Sequence, residues 1–248
     1  MKVIVIGETC VDEFIYGDVK RLSPEAPVPV FTPIETTSND GMAGNTIANI
    51  KALSPESYIS SLTQEGSITK TRYVDKKSNH MFIRIDKGED NIKQLSWNPM
   101  IDIMIGSADI VIVSDYDKGF LTNSHLQAIG KKSKLSILDS KRKMDNSFAQ
   151  YFTFIKLNES EAKSNPQFTH SGLITTLGAK GAKIREHMFN SPKPQETIDV
   201  SGAGDTFTAA FILKYYQTKN EFESIEFANK CAANVVNKRG VSVPDLVA

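Results

Sequence analysis

Asp199-Val200-Ser201-Gly202-Ala203-Gly204-Asp205-Thr206-Phe207 is the stretch on which the reading of this chain turns. Two glycines flank Ala203 just ahead of Thr206 to Tyr216, a run whose apolar residues suit a buried helix. The glycines therefore sit at a helix N-terminus. There the backbone N–H groups of Ala203, Gly204 and Asp205 lack partners within the helix, and the positive end of the helix dipole adds to them, so the loop is a seat for an anion such as a phosphate. A carboxylate beside such a seat is placed to take a proton from an alcohol while the N–H groups hold charge developing on a transferring phosphoryl group. Asp205 is the candidate for that base. The residue types alone equally allow a plainer role, an acid complementing the dipole of the first helical turn.

Bulk properties narrow the field. A chain of 248 residues suffices for one large α/β domain with a sizeable core. Lys plus Arg equal Asp plus Glu at 29 each, so net charge points to neither nucleic acid nor membrane as a partner. Two cysteines, Cys10 and Cys231, do not make a disulfide framework, and the four scattered histidines have no metal-ligand spacing. The start is too short an apolar run for a signal peptide, and no long apolar stretch follows, so a soluble, cytoplasmic protein is expected.

Along the chain, apolar strands alternate with helical stretches, the pattern of a parallel sheet. Val3 to Ile6 reads as a buried strand with Gly7 to Asp12 as the loop leaving it, which makes Asp12 a contact for substrate hydroxyls or, as readily, a turn residue. The three prolines of Arg21 to Val30 exclude helix and predict a rigid, extended edge segment. Gly41 to Asn49 reads as a glycine loop opening a helix that ends near Leu53, and Ser57 to Leu62 as a strand. Ile68 to Asp75 and His80 to Asp86 read as a β-hairpin. Further strands are expected at Ala108 to Ser114, Leu135 to Asp139, Phe152 to Leu157 and Gly172 to Leu177, with helices at Thr122 to Lys131 and Glu221 to Asn237. Lys118 follows one strand end and Lys141-Arg142-Lys143 another; either is a phosphate contact or simply a solvated turn.

The string around Asp205 closely resembles the second signature of the ribokinase-like, or PfkB, family of sugar kinases. Within it, Arg21 to Val30, Gly41 to Asn49 and Ser114-Asp115-Tyr116-Asp117-Lys118-Gly119 resemble the kinase domain of bifunctional heptose kinase/adenylyltransferases and the free-standing heptose-7-phosphate kinases. The resemblance implies a three-layer ribokinase-like fold over residues 1–248, with a mainly parallel central sheet and a small β lid within about 12–35 and 68–87. It also implies roles. Gly202, Ala203 and Gly204 would form the anion hole around the base Asp205, while Asp12, Gly41, Asn45, Arg84 and Lys118 face the sugar. Asn158 and Glu161 match an Asn-x-x-Glu motif that organises Mg²⁺ and the nucleotide phosphates, with Glu161 meeting the metal directly or through water. Without the resemblance they are ordinary helix-start residues. Thr176, Gly178, Gly181 and Asn229 fall where the family binds nucleotide.

Two departures stand out. Met42 replaces an expected glycine, and about one helix and one strand are missing between Leu62 and Ile68. The implied reaction is ATP-dependent phosphorylation of a sugar hydroxyl, with heptose 7-phosphate at O1 on the way to ADP-heptose as the first substrate. Another sugar such as fructose or ribose, or a non-catalytic sugar- or nucleotide-binding domain, are the alternatives. ATP and Mg²⁺ are the implied cofactors, with room for a monovalent cation, and the family allows a homodimer formed through the lid. The P-loop string Gly-x-x-x-x-Gly-Lys-Ser/Thr does not occur, which argues against another common phosphate-transfer architecture.

Overall fold

The computed structural model describes residues 1–192 and 198–245. In chain order its elements are β1 (Lys2–Gly7), β2 (Thr9–Leu22), β3 (Pro29–Met42), α1 (Ala43–Leu53), β4 (Tyr58–Leu62), β5 (Ile68–Asp75) and β6 (Met81–Lys87). These are followed by α2 (Pro99–Ser107), β7 (Ile110–Asp115), α3 (Asn123–Lys132), β8 (Ser136–Ser140), α4 (Asn146–Ala149), β9 (Phe154–Asn158), α5 (Glu159–Ser164) and β10 (Leu173–Thr176). The last are β11 (Ala182–Ile184), β12 (His187–Phe189), α6 (Ala203–Thr218) and α7 (Glu221–Val235).

Eight strands form the large sheet, in the order β12-β11-β10-β9-β8-β7-β1-β4. From β4 to β10 every pairing is parallel, and β11 and β12 close that edge antiparallel. Side chains alternate faces along each strand, and the sequence is apolar on both. Val3, Val5, Ile110, Ile112, Ile137, Phe154 and Ile174 pack with α1, α6 and α7 on one side. Their neighbours Ile4, Ile6, Val111, Val113, Leu138 and Ile155 pack with α2, α3 and α4 on the other. The result is the three-layer arrangement expected. All the parallel strands end on the same edge, and in open α/β sheets ligands bind in the crevice outside that edge.

The helices begin where local chemistry directs. Asn98 caps α2 ahead of Pro99, Thr122 and His125 form a reciprocal capping box on α3, and Asn220 caps α7.

A second, four-stranded sheet has the order β3-β2-β5-β6. Three sequence expectations are corrected here. Gly7 to Asp12 is not a loop, because β2 begins at Thr9 and alternates buried Cys10, Asp12, Phe14 and Tyr16 with more exposed residues. The proline-rich Arg21 to Val30 is not one extended segment. It forms the turn of a long hairpin, closed by Ser23 N–H donating to the Val28 carbonyl at 2.8 Å, and only its last proline, Pro29, lies on β3, an edge strand where a missing N–H costs little. Gly41 likewise ends β3, so the helix follows a strand with no intervening loop. The β5–β6 hairpin lies as read, and β5 in addition pairs in parallel with β2.

Between β4 and β5 only residues 63–67 remain, and a side chain holds the short cut together. Gln64 accepts from Thr9 N–H at 2.8 Å and donates to the Thr9 carbonyl at 2.8 Å, so one amide satisfies both backbone groups as a neighbouring strand would.

Candidate active site

Helix α6 starts at the carboxyl edge of the large sheet. Gly202 precedes it at φ 79°, and no side chain caps the helix. A side chain at 202 would be strained at that angle and would also press on the amide of Asn45, 2.5 Å from where its Cβ would lie. Of the three first-turn N–H groups expected free, that of Ala203 donates to the Val200 carbonyl at 3.3 Å. The seat is therefore narrower than the sequence suggested.

Asp205 lies in the first turn and is 7% exposed. Asn45, from α1, donates to its Oδ2 at 2.9 Å, and the Tyr116 hydroxyl donates to its Oδ1 at 3.1 Å. Burial, and then the nearby charge of Asp139, push its pKa up to about 6, against the pull of Asn45, Lys156 and Tyr116. A carboxyl poised there is ionised at neutral pH yet basic enough to accept a proton. Asn45 also donates to the Gly202 carbonyl at 3.2 Å, and Asn49 braces it by donating to its Oδ1 at 2.9 Å. Asn45, expected at the sugar, here also braces Asp205 and its loop.

A cavity of about 760 Å³ opens beside α6. Nine residues singled out from sequence line it: Asn158, Thr176, Gly178, Gly181, Gly202, Ala203, Gly204, Asp205 and Asn229. Asn229 in addition donates to the Phe189 carbonyl at 3.0 Å and so ties α7 to β12. Lys141, Lys156 and, at its exposed rim, Lys163 add three cations to the lining. Asn158 and Glu161 form a capping box on α5. Glu161 accepts from the Asn158 backbone and side chain, each at 2.7 Å, and from Lys141 at 2.6 Å. Both of its oxygens are engaged, which favours a metal contact through water over a direct bond. Among the described residues no cluster of three or more His, Cys, Asp or Glu is arranged to hold a metal ion.

Sequence reasoning missed the pair that underlies this cavity. Lys156 on β9 is 3% exposed and meets Asp139 on β8 at 2.7 Å, while Thr208 donates to the same Asp139 oxygen at 3.1 Å. Burial opposes the charge on Asp139, but Lys156 and Lys141 hold its pKa below the usual value. Its other oxygen, Oδ1, is buried without a partner. The signal was available: a lysine and an aspartate of opposite sign inside two buried strands need each other. Lys156 also reaches the anion loop, its Nζ lying 3.1 Å from where a Cβ on Gly204 would stand.

The residues assigned to the sugar are more dispersed. Asp12 and Gly41 are neighbours, and a side chain at 41 would collide with the Asp12 carboxylate and the Cys10 sulfur. Asp12 is ion-paired with Arg72 at 2.5 Å. Lys118 and Lys70 share Glu89 at 2.5 and 3.4 Å, and Arg84 pairs with Asp86 at 2.6 Å on the outer hairpin. Lys118, Lys70 and Arg84 therefore each have an acidic partner in place. Arg142 of the basic run is structural, gripping Asp115 with two nitrogens at 2.6 and 3.0 Å, whereas Lys141 faces the cavity.

A largely parallel central sheet with helices on both faces is a fold shared with solved ribokinase-family structures. The chain is similar to the ribokinase of Arabidopsis thaliana complexed with ribose and ATP (TM-score 0.71, 17% identity, 96% of this chain and 93% of that one). It is also similar to phosphofructokinase-2 of Escherichia coli in complex with potassium (TM-score 0.72, 13% identity, 100% and 95%). A model described as the pfkB family carbohydrate kinase matches residues 55–247. The chain belongs to the pfkB family of carbohydrate kinases.

Among curated proteins it is 30% identical to the bifunctional protein HldE of a Nitratiruptor species, over 99% of this chain and 63% of that protein. It is 29% identical to the protein of the same name in Helicobacter pylori, over 99% and 65%. The chain thus spans less than two thirds of the length of these relatives.

Proposed function

We propose that the protein transfers the terminal phosphoryl group of ATP to a hydroxyl of a sugar, with heptose 7-phosphate, phosphorylated at O1, as the first candidate acceptor. The observation that carries this reading is Asp205: a buried carboxylate with its pKa raised to about 6, held on both oxygens, in the first turn of an uncapped helix beside a cavity lined by Lys141, Lys156 and Lys163. Asp205 takes the proton of the acceptor hydroxyl. The loop of Gly202, Ala203 and Gly204, with Lys156 behind it, balances charge on the group in transfer.

The nucleotide belongs in the 760 Å³ cavity, where Lys141 and Lys156 meet its phosphates and Thr176, Gly178, Gly181 and Asn229 meet the rest. Mg²⁺ neutralises phosphate charge when bound, and here it suits the phosphates plus Glu161 through water, since Mg²⁺ usually retains several waters. A monovalent cation is consistent with the potassium named for the Escherichia coli neighbour. Asp12, Gly41 and Asn45 bound the acceptor side. Two lysines on the single Glu89 leave one positive charge to spare, which suits an acceptor that already bears a phosphate. Residues 1–248 act together as one kinase domain with the small sheet as its lid. The setting proposed is the cytoplasm: among the described residues no helix is long and apolar enough to cross a membrane.

One observation favours a smaller acceptor such as ribose or fructose. Met42 is 3% exposed and packs with Cys10, Ile68 and Tyr116, filling space on the acceptor side that a glycine would leave open. A coupled assay of ATP consumption over sugars and sugar phosphates separates the readings. Heptose 7-phosphate is expected to exceed unphosphorylated heptose in kcat/KM by roughly ten- to a hundredfold, the worth of one charge-assisted contact. Equal values for the two forms would remove the sugar-phosphate assignment, and inactivity on every sugar would remove the kinase reading.

A further inference from the structure

Tyr116 occupies a place that the proposed chemistry has not yet used. Its hydroxyl donates to Asp205 Oδ1 at 3.1 Å, opposite Asn45 on Oδ2. Its ring packs against the cluster of Cys10, Met42 and Ile68, all from the small sheet. Two cations approach that ring, Lys70 Nζ from β5 at 5.6 Å from the centroid and Lys141 Nζ from the cavity side at 5.5 Å. The backbone is pinned as firmly. Glu8, fully buried, accepts from the N–H groups of Tyr116, Lys118 and Phe120 at 2.9, 3.0 and 3.3 Å.

We infer that Tyr116 is a positioning residue for Asp205: its hydroxyl fixes one carboxylate oxygen while Asn45 fixes the other, and the small sheet, through Met42, Cys10 and Ile68, holds the ring that carries it. The inference rests on reading Asp205 as the base. A carboxylate on a short side chain turns freely about its last bond unless both oxygens are tied, and a base must present a lone pair to the acceptor hydroxyl in one direction. One donor on each oxygen ties it and leaves further lone-pair sites for the proton.

The chemistry of the phenol suits the task. Burial first, and then the charge of Asp205, raise its pKa well above the ordinary value, so it keeps its proton and remains a donor at every working pH. Met42 supplies a second sign that the arrangement is enforced. It is a non-glycine residue at φ 55° and ψ −131°, a strained backbone that persists because its side chain is packed against the tyrosine cluster.

The groups facing Asp205 are Asn45 from α1, Tyr116 after β7, Asp139 from β8, Lys141 after β8 and Lys156 from β9. Tyr116→Phe changes one of them and keeps the ring in its cluster. The test follows the ¹³Cγ resonance of Asp205, identified by its loss in Asp205→Asn, through a pH titration of the protein without substrates. The midpoint, at about 6 in the unmodified chain, is expected to rise by about half a unit or more in Tyr116→Phe, because a donor to the charged form is gone. With ATP and heptose 7-phosphate, kcat falls about tenfold while KM for ATP holds, and the acid limb moves upward with the titration.

Difluorotyrosine placed at position 116 is a stronger donor and is expected to move the midpoint the other way, a reversal that loss of packing does not produce. A melting temperature for each variant confirms that it is folded. An unmoved midpoint in both folded variants overturns the inference. Full activity in folded Asp205→Asn overturns instead the reading of Asp205 as base, and the titration still reports whether Tyr116 governs that carboxyl.

Discussion

At the scale of single residues the site sets two carboxylates against each other, Asp139 on β8 and Asp205 in the first turn of α6. Asp139 has a lysine and stays charged, whereas Asp205 has neutral donors and is lifted to about 6. Environment thus divides their roles, and only the raised one suits proton transfer near neutral pH. Asp205→Asn is expected to fold and bind nucleotide but to lose about 10²- to 10⁴-fold in kcat, since the amide keeps the shape and cannot take the proton. In the unmodified protein Asp205 is protonated below its pKa, so log kcat/KM should fall toward acid with a break near 6. A flat profile between pH 5 and 7 would detach the rate from this carboxyl. Asp205 was legible as a candidate because glycines, helix start and acid are contiguous, although those residue types alone equally allow a plain first-turn acid. Asn45 and Tyr116 were legible as residues, yet their contact with Asp205 was not, since it joins positions 160 and 89 apart in the chain.

Elements were legible where their signal is local. The buried strands of the large sheet declare themselves as short apolar runs, and the β5–β6 hairpin as two alternating runs around a polar turn. Of the three expectations that failed, the start of β2 did so because a half-buried strand leaving a glycine resembles a loop until its partners are known. The parallel pairing of β2 with β5 is equally silent in sequence, being set by packing and not by any turn. The passage from β4 to β5 is as short as the sequence implied, but its bridging by Gln64 was not foreseen. Because that amide satisfies both Thr9 backbone groups, Gln64→Ala should cost about 1–3 kcal/mol, the penalty for leaving part-buried polar groups unpaired. Chemical denaturation measures it. A loss under a few tenths of a kcal/mol would mean that water serves Thr9 as well.

For the molecule as a whole, the cavity beside α6 predicts a thermal response. ADP with Mg²⁺ at a hundred times its Kd should stabilise the fold by about 2.7 kcal/mol, or roughly 5–10 °C in Tm for a chain of this size. Lys141→Met should reduce the shift and Arg84→Met, on the outer hairpin, should not; equal shifts in both variants would place the nucleotide elsewhere. The large sheet has a further consequence, for the order in which the chain is made. Val3 pairs with Ile110, and Val3 and Val5 share a cluster with Phe207 to Leu213 of α6. A ribosome adding about 5–20 residues per second reaches Ile110 roughly 5–20 s after Val3, and reaches α6 after about as long again. For that interval the earliest apolar strand has no finished surface to lie against. Nascent chains stalled before α6 should therefore be held by chaperones and cut by protease within the first strand, and chains stalled after α6 has emerged should resist both.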